Sequence, residues 1–148
     1  MPLPVSLEEF VLGWDTFRAA LAGQAGEITA TLGLEPHACD GAMVATRMPL
    51  AGRLCGPGGH FSSTALFGAA DLTGSYLAGQ AMGPGRSPLV TQSSMSFLDS
   101  SGLGPAVATA RLQRAGGSVV VARVDVTDGD GRLLTTSTFT YVPAPAEG

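Results

Sequence analysis

The sequence has little charge, few aromatic residues and very little cysteine or histidine. Of its 148 residues, 14% are charged and 6% are aromatic, and there are two cysteines, two histidines and no lysine. The formal net charge is -4, with eight basic residues scattered along the chain, which argues against nucleic acid or an anionic membrane as the main partner. So few imidazole and thiol ligands also predict that the chain has no metal site.

Long apolar runs and leader-like segments are missing as well. No apolar run reaches the roughly 18 residues of a membrane span, and the N-terminus lacks the basic-then-apolar pattern of a secretion signal. Cys39 and Cys55 have no partner motif, so we expect two free thiols and a cytoplasmic protein. The glycine-rich segment 56–59 lacks the lysine of a P-loop and the glycine spacing of a dinucleotide fingerprint, which excludes both kinds of site.

What is present suits one hydrophobic core, because 45% of the residues are hydrophobic and the length fits a single domain spanning 1–148. A helix is predicted over residues 6–22, with Ser6 and Glu9 in a capping-box pattern and Gly23 at its end. Its apolar stripe has helical spacing and includes Trp14, which we interpret as a packing residue.

Six strands are predicted around a central helix, within a core covering about residues 27–143. Alternation indicates strands over 27–35, 42–48, 89–98, 106–114, 118–127 and 133–142, with Pro36 ending the first. Tight hairpins are predicted to join the last four strands into an antiparallel meander. A sheet that also buries the central helix must curl around it, which gives an α+β fold.

The central helix carries the main candidate for chemistry. The glycine-rich turn runs into Ser62 and Ser63, which are suited to a helix start, and Asp71 is the only charged residue between Phe61 and Gly85. Burying a carboxylate is costly unless it is paired, so Asp71 is a candidate catalytic group. The alternatives are that Asp71 caps a second helix or faces water.

Several motifs together resemble those of the hotdog-fold acyl-CoA thioesterases of the phenylacetate-degradation type. They are Pro57-Gly58-Gly59-x-x-Ser62-Ser63, Ala65-Leu66-Phe67, Ala70-Asp71, Val90-Thr91, Ser96-Phe97-Leu98, the hairpin from Arg111 to Gly116, and Thr138-x-Thr140-Tyr141. The similarity covers residues 27–143 and depends on the sum of these features.

This resemblance implies the hotdog fold and hydrolysis of a small or medium acyl- or aryl-CoA. It implies homodimers or homotetramers with active sites at the subunit interface, and no cofactor other than the coenzyme A of the substrate. Asp71 takes the place of the family's helix carboxylate, acting as general base or as nucleophile, and the Ser63 N–H polarises the thioester carbonyl. The family's His-Gly-Gly is replaced by Ser62-Ser63-Thr64, and His60 lies two residues upstream as a possible substitute.

Further residues are candidates for roles beside Asp71 and Ser63. Ser75, one turn after Asp71, can orient water or the carboxylate, or bond back to a helix carbonyl. The remaining candidates are substrate contacts at Gly59, Ser62, Phe67, Met82 and Phe97, and arginines for the coenzyme A phosphates at Arg86, Arg111 and Arg114. The alternative is that the apolar residues are ordinary core residues and that the arginines are ordinary surface residues.

Two other functions remain open at this stage. Gly59-His60-Phe61 resembles a motif of hotdog dehydratases, which favours an enoyl-thioester hydratase or dehydratase. The missing motif histidine favours a non-catalytic acyl-CoA binding module.

Overall fold

The computed structural model describes residues 3–21, 27–100 and 103–145. The predicted architecture, one long helix wrapped by an antiparallel sheet, is confirmed. In chain order the helices and strands are α1 (Leu7–Leu21), α2 (Ile28–Leu32), β1 (Glu35–Cys39), β2 (Met43–Met48), α3 (Ser63–Met82), β3 (Pro88–Phe97), β4 (Ala106–Ala115), β5 (Val120–Thr127) and β6 (Leu133–Pro143).

The six strands form one antiparallel sheet in the order β1-β2-β4-β5-β6-β3. Strands β4, β5 and β6 make the predicted meander, but the prediction that β3 pairs with β4 is wrong, because β3 pairs with β6. Both sides of β4 are occupied, by β2 and β5. The connection over residues 98–105 is too long for a tight hairpin, so β3 can lie at the far edge of the sheet.

The predicted strand over residues 27–35 is also wrong. Residues Ile28–Leu32 form the short helix α2, and Gly33 ends it in the left-handed conformation at φ 71°. The strand begins only at Glu35 and includes Pro36, which is tolerated because β1 is an edge strand. A short apolar alternation fits one helical turn as well as a strand, and packing of Leu32 against α3 favours the helix.

Helix α3 is apolar nearly all round, and ten of its 20 residues are buried. The facing strand β4 presents Ala106, Ala108 and Ala110, whose small side chains let the sheet approach the helix. Gly68 also allows close approach, because a Cβ there would lie 2.8 Å from Leu32 Cδ1. The helix thus covers the inner face of the sheet, and few of its positions carry polar side chains.

Helix α1 begins as predicted, with Glu9 N–H donating to Ser6 Oγ at 3.2 Å. Its aromatic stripe packs on Tyr76 of α3, and the ring centroids of Phe10, Trp14 and Phe17 lie 5.2, 5.5 and 5.8 Å from that ring. The interpretation of Trp14 as a packing residue is confirmed. The predicted helix end at Gly23 lies outside the described residues.

No helix within the described ranges combines the length and apolar character needed to cross a membrane.

Candidate active site

Asp71 lies near the middle of α3 and lines a cavity of about 310 Å³. The carboxylate has no ion-pair partner within the described ranges. Burial raises the pKa of the Asp71 carboxyl group above its ordinary value. Because α3 continues unbroken to Met82, the alternative that Asp71 caps a second helix is wrong. A partly desolvated, unneutralised carboxylate beside a cavity is a typical setting for a general base or a nucleophile.

The cavity beside Asp71 lies between α1, α3 and the start of β3. Its apolar lining residues are Phe17, Ala20, Leu21, Leu72, Pro88 and Val90. None of these residues carries a sequence motif that predicts a role in binding. A helical stripe identifies Phe17 as an inward-facing residue, but the sequence does not show that a cavity lies between Phe17 and Asp71.

Ser75 lines the same cavity one turn after Asp71, as the helical spacing predicts. The hydrogen bonds of the described residues include none from Ser75 back to a carbonyl of α3. Ser75 instead influences the hydroxyl of Tyr141. Burial raises the pKa of Tyr141, whereas the hydrogen bond with Ser75 opposes that rise and the charge of Asp71 adds to it. The pKa of Tyr141 therefore depends on both Ser75 and Asp71.

Tyr141 is a site residue that the sequence analysis missed. Its side chain is fully buried, and its hydroxyl donates to the Asp71 carbonyl oxygen at 3.4 Å. Gly74 leaves room for this hydroxyl, since a Cβ at that position would collide with it. The sequence signal for Tyr141 was its alternation with Phe139 on the inward face of the last strand. This alternation indicates that Tyr141 is buried, but it does not identify the residues that Tyr141 contacts. Tyr141 therefore bonds to the α3 backbone at Asp71 from the sheet side.

This packing gives a stability prediction. Gly74→Ala is expected to lower the free energy of unfolding by about 1–3 kcal/mol, because the added methyl group meets the Tyr141 hydroxyl. Tyr141→Phe removes that hydroxyl, so the double variant should recover most of the loss. Chemical denaturation of the wild type, both single variants and the double variant measures the coupling. Simple addition of the two single effects would contradict the proposed contact.

The N-terminus of α3 supplies the second predicted element of the site. Ser62 caps the helix, and its Oγ accepts from the Ala65 N–H at 3.1 Å. Within the described structure, no hydrogen-bond acceptor is assigned to the backbone N–H groups of Ser63 and Thr64. These first-turn donors, together with the helix dipole, favour negative charge. The predicted anion-stabilising end of the helix is therefore geometrically available.

In one chain, however, Ser63 and Asp71 are too far apart to act on the same atom. They are eight residues apart on a straight helix, which separates them by roughly 12 Å along its axis. A thioester carbonyl spans only a fraction of that distance. The two groups can meet at one carbonyl only if they come from different copies of the chain.

His60 lies in the loop before α3, in an exposed position. Gly58 and Gly59 hold this loop in left-handed conformations at φ 86° and 79°, and Gly56 N–H donates to the His60 carbonyl oxygen at 2.9 Å. Neither His60 nor Gly59 lines the cavity beside Asp71 in the same chain. The structure therefore gives His60 no contact with the carboxylate of its own subunit.

The predicted substrate-contact residues are dispersed. Phe67 is 38% exposed and packs on Phe139, Phe97 is 50% exposed on β3, and Met82 packs against the core at the end of α3. None of these three lines a cavity beside Asp71.

The predicted phosphate-binding arginines are exposed. Arg86 lines a second cavity of about 280 Å³ next to the first and donates to the Gly117 carbonyl oxygen at 2.9 Å. Arg111 and Arg114 lie exposed on β4. Their role with coenzyme A stays a prediction.

Cys39 and Cys55 are free thiols, and burial raises the pKa of Cys39. Across the described residues, no group of three or more histidine, cysteine, aspartate or glutamate side chains is placed to hold a metal ion.

A sequence model of the family described as "Thioesterase superfamily" matches residues 58–135, just over half of the chain. The match begins in the loop before α3 and ends in β6. No curated protein matches the chain.

Solved structures share the fold over most of the chain. A thioesterase from Haemophilus influenzae is 18% identical with a TM-score of 0.79, covering 95% of this chain and 92% of that one. A thioesterase family protein from Silicibacter pomeroyi is 21% identical with a TM-score of 0.79, covering 90% and 99%. A phenylacetic acid degradation-related protein from Ralstonia eutropha JMP134 is 25% identical with a TM-score of 0.73, covering 85% and 98%.

Proposed function

The chain belongs to the thioesterase superfamily and is a thioester hydrolase, and we propose that its substrate is an acyl-CoA. The observation that carries this proposal is the unneutralised Asp71 carboxylate, partly desolvated and open to an apolar cavity. Such a cavity suits the acyl group, while the polar coenzyme A stays outside. The reaction needs no cofactor, because coenzyme A enters as part of the substrate.

Asp71 can act by either of two balanced routes. As a general base it takes a proton from water, the resulting hydroxide attacks the carbonyl carbon, and the C–S bond breaks to release coenzyme A as a thiolate. As a nucleophile its oxygen attacks the carbonyl carbon directly, and the mixed anhydride left after loss of the thiolate is hydrolysed by water. Ser75 lines the cavity beside Asp71 and is placed to orient water in either route.

The negative charge that develops on the carbonyl oxygen needs donors, and we propose that Ser63 N–H of a second subunit supplies one. The separation of Ser63 and Asp71 within one helix supports a site shared between subunits. The edge strand β3 supports pairing of two copies, because its ten residues leave one side unpaired in the described structure and expose Leu89, Val90 and Phe97. We therefore propose a homodimer, alone or within a tetramer, with two composite sites.

Thiol release from a panel of acyl-CoA and aryl-CoA thioesters tests this function. We expect release of free coenzyme A with saturation kinetics, detected with a chromogenic thiol reagent. Water addition to an enoyl-CoA without thiol release would support the hydratase alternative, for which the exposed His60 offers no favouring contact within one subunit. Saturable binding with neither reaction would identify a binding module and overturn the proposal.

A further inference from the structure

Two cavities lie side by side along α3, under α1. The first, of about 310 Å³, contains Asp71, and the second, of about 280 Å³, extends toward the loop that follows α3. The residues that line both cavities are Phe17, Ala20, Ser75, Ser87 and Pro88. Since the two spaces share these walls, they are neighbouring parts of one gap between α1 and α3.

This gap is elongated along the helix axis. Its lining residues on α3 and the following turn run from Asp71 in the first cavity to Gly83 in the second. Twelve residues of helix correspond to roughly 18 Å. A gap of this length suits an extended chain better than a compact ring.

Apolar surface predominates in the walls along the whole of this length. Beside Asp71 the lining is dominated by apolar side chains, including Leu21, Leu72 and Val90. In the second cavity the polar lining residues Thr16 and Arg86 are exposed. A largely apolar gap with a few polar groups along its wall can hold a flexible hydrocarbon chain.

Gly79 has no structural role that explains its place in the helix. Glycine in a helix interior costs about 1 kcal/mol relative to alanine. A Cβ at Gly79 would meet only Pro88, at ordinary contact distances of 3.6 and 3.8 Å. At Gly13, by contrast, a Cβ would lie 2.5 Å from the Tyr76 hydroxyl oxygen, so that glycine is required by packing. Because Gly79 lines the second cavity, its missing side chain keeps this space open.

We propose that this gap is the acyl channel, that it takes a linear acyl chain of medium length, and that Gly79 determines the chain length accepted. The inference deepens the proposed function and rests on it. With the thioester at Asp71, the chain runs under Phe17 toward Gly79 and the loop at Pro84. A compact aryl group would occupy only the first cavity.

The first test is a series of saturated acyl-CoAs from acetyl through butyryl, hexanoyl and octanoyl to dodecanoyl, with benzoyl-CoA as the compact reference. Each buried methylene is worth about 0.8 kcal/mol, so kcat/KM is expected to rise about fourfold per added carbon until the channel is full. A flat profile, or a preference for benzoyl-CoA over octanoyl-CoA, would overturn the channel. Absence of turnover with every thioester would instead reject the proposed function itself.

The second test fills the channel from either wall. Gly79→Leu is expected to lower the ratio of kcat/KM for decanoyl-CoA to that for acetyl-CoA by about two orders of magnitude, equivalent to about four methylenes excluded. Thr16→Leu obstructs the second cavity from α1 and keeps the test usable if the first variant folds poorly, because Thr16 lines the second cavity and not the one beside Asp71. Gly52→Leu is the matched control, because a Cβ at that position meets nothing within 4 Å and Gly52 lines neither cavity.

In the control Gly52→Leu, the ratio of kcat/KM for decanoyl-CoA to that for acetyl-CoA should equal the wild-type ratio. If Gly79→Leu and Thr16→Leu leave the ratio unchanged, the acyl chain does not enter this gap. A parallel loss for acetyl-CoA and decanoyl-CoA would also contradict the proposal, since it would indicate damage at Asp71 and not a shortened channel.

Discussion

Asp71→Asn is expected to lower kcat by about 10³-fold or more, because an amide can neither accept the proton of water nor attack the thioester carbon. The substitution is nearly isosteric, and the side chain has no ion pair to lose within the described structure. Steady-state thiol release with the best acyl-CoA measures the effect. Asp15→Asn, at an exposed position of α1, is the matched control and should retain wild-type turnover.

The same variant separates loss of chemistry from loss of fold. Since burial raises the folded-state pKa of Asp71, its contribution to stability is present at low pH and is lost as the pH rises through that pKa. At neutral pH the charged carboxylate therefore destabilises the native state, and Asp71→Asn should have a higher Tm than the wild type. The difference should shrink in acid. An inactive variant with a lower Tm, or a variant that keeps most of its activity, would count against the assigned role.

Ser63→Pro is expected to lower kcat about 10²- to 10³-fold by removing one backbone donor to the developing oxyanion. Proline suits this position because Ser63 is the first residue of α3, where its missing N–H breaks no helical hydrogen bond. The preceding residue, Ser62, already has the extended conformation that precedes proline, at φ -67° and ψ 151°. Thiol-release kinetics and a thermal melt together should show a catalytic defect in a folded protein.

Ser63→Ala provides the control for the backbone donor. It removes the hydroxyl but keeps the N–H, so it should turn over within a few-fold of the wild type. Equal losses in the alanine and proline variants would mean that the side chain, and not the amide, matters. Unchanged activity in Ser63→Pro would remove this helix terminus from the mechanism.

Mixing the two inactive variants tests whether the site is shared. In a hybrid dimer of Asp71→Asn and Ser63→Pro subunits, one site combines both substitutions and the other combines neither. If the amide and the carboxylate come from different subunits, each hybrid should have about half the wild-type activity, following from the two-fold symmetry. Co-expression with two affinity tags isolates the hybrid. Hybrids as inactive as either parent would place both groups in one chain.

Much of the fold was predictable because its signals are local. The stripe of α1, the cap of α3 and the hairpins of β4, β5 and β6 all depend on residues close together in the chain. The isolation of Asp71 in an apolar run is also local, and burial of that run follows from its composition. The segment 27–35 was misassigned because five residues satisfy a helical and an extended period equally well, and only packing on α3 selects the helix.

The amino-acid sequence by itself determined which carboxylate is isolated, where the central helix begins and which faces of the strands are buried, since these depend on side-chain chemistry and periodicity along the chain. Only the tertiary structure decided that β3 pairs with β6, that Tyr141 reaches Asp71 and Ser75, and that α1 leaves a long gap beside them. The reason is that strand order and helix docking minimise exposed apolar surface over the whole chain at once, and no short segment carries that information.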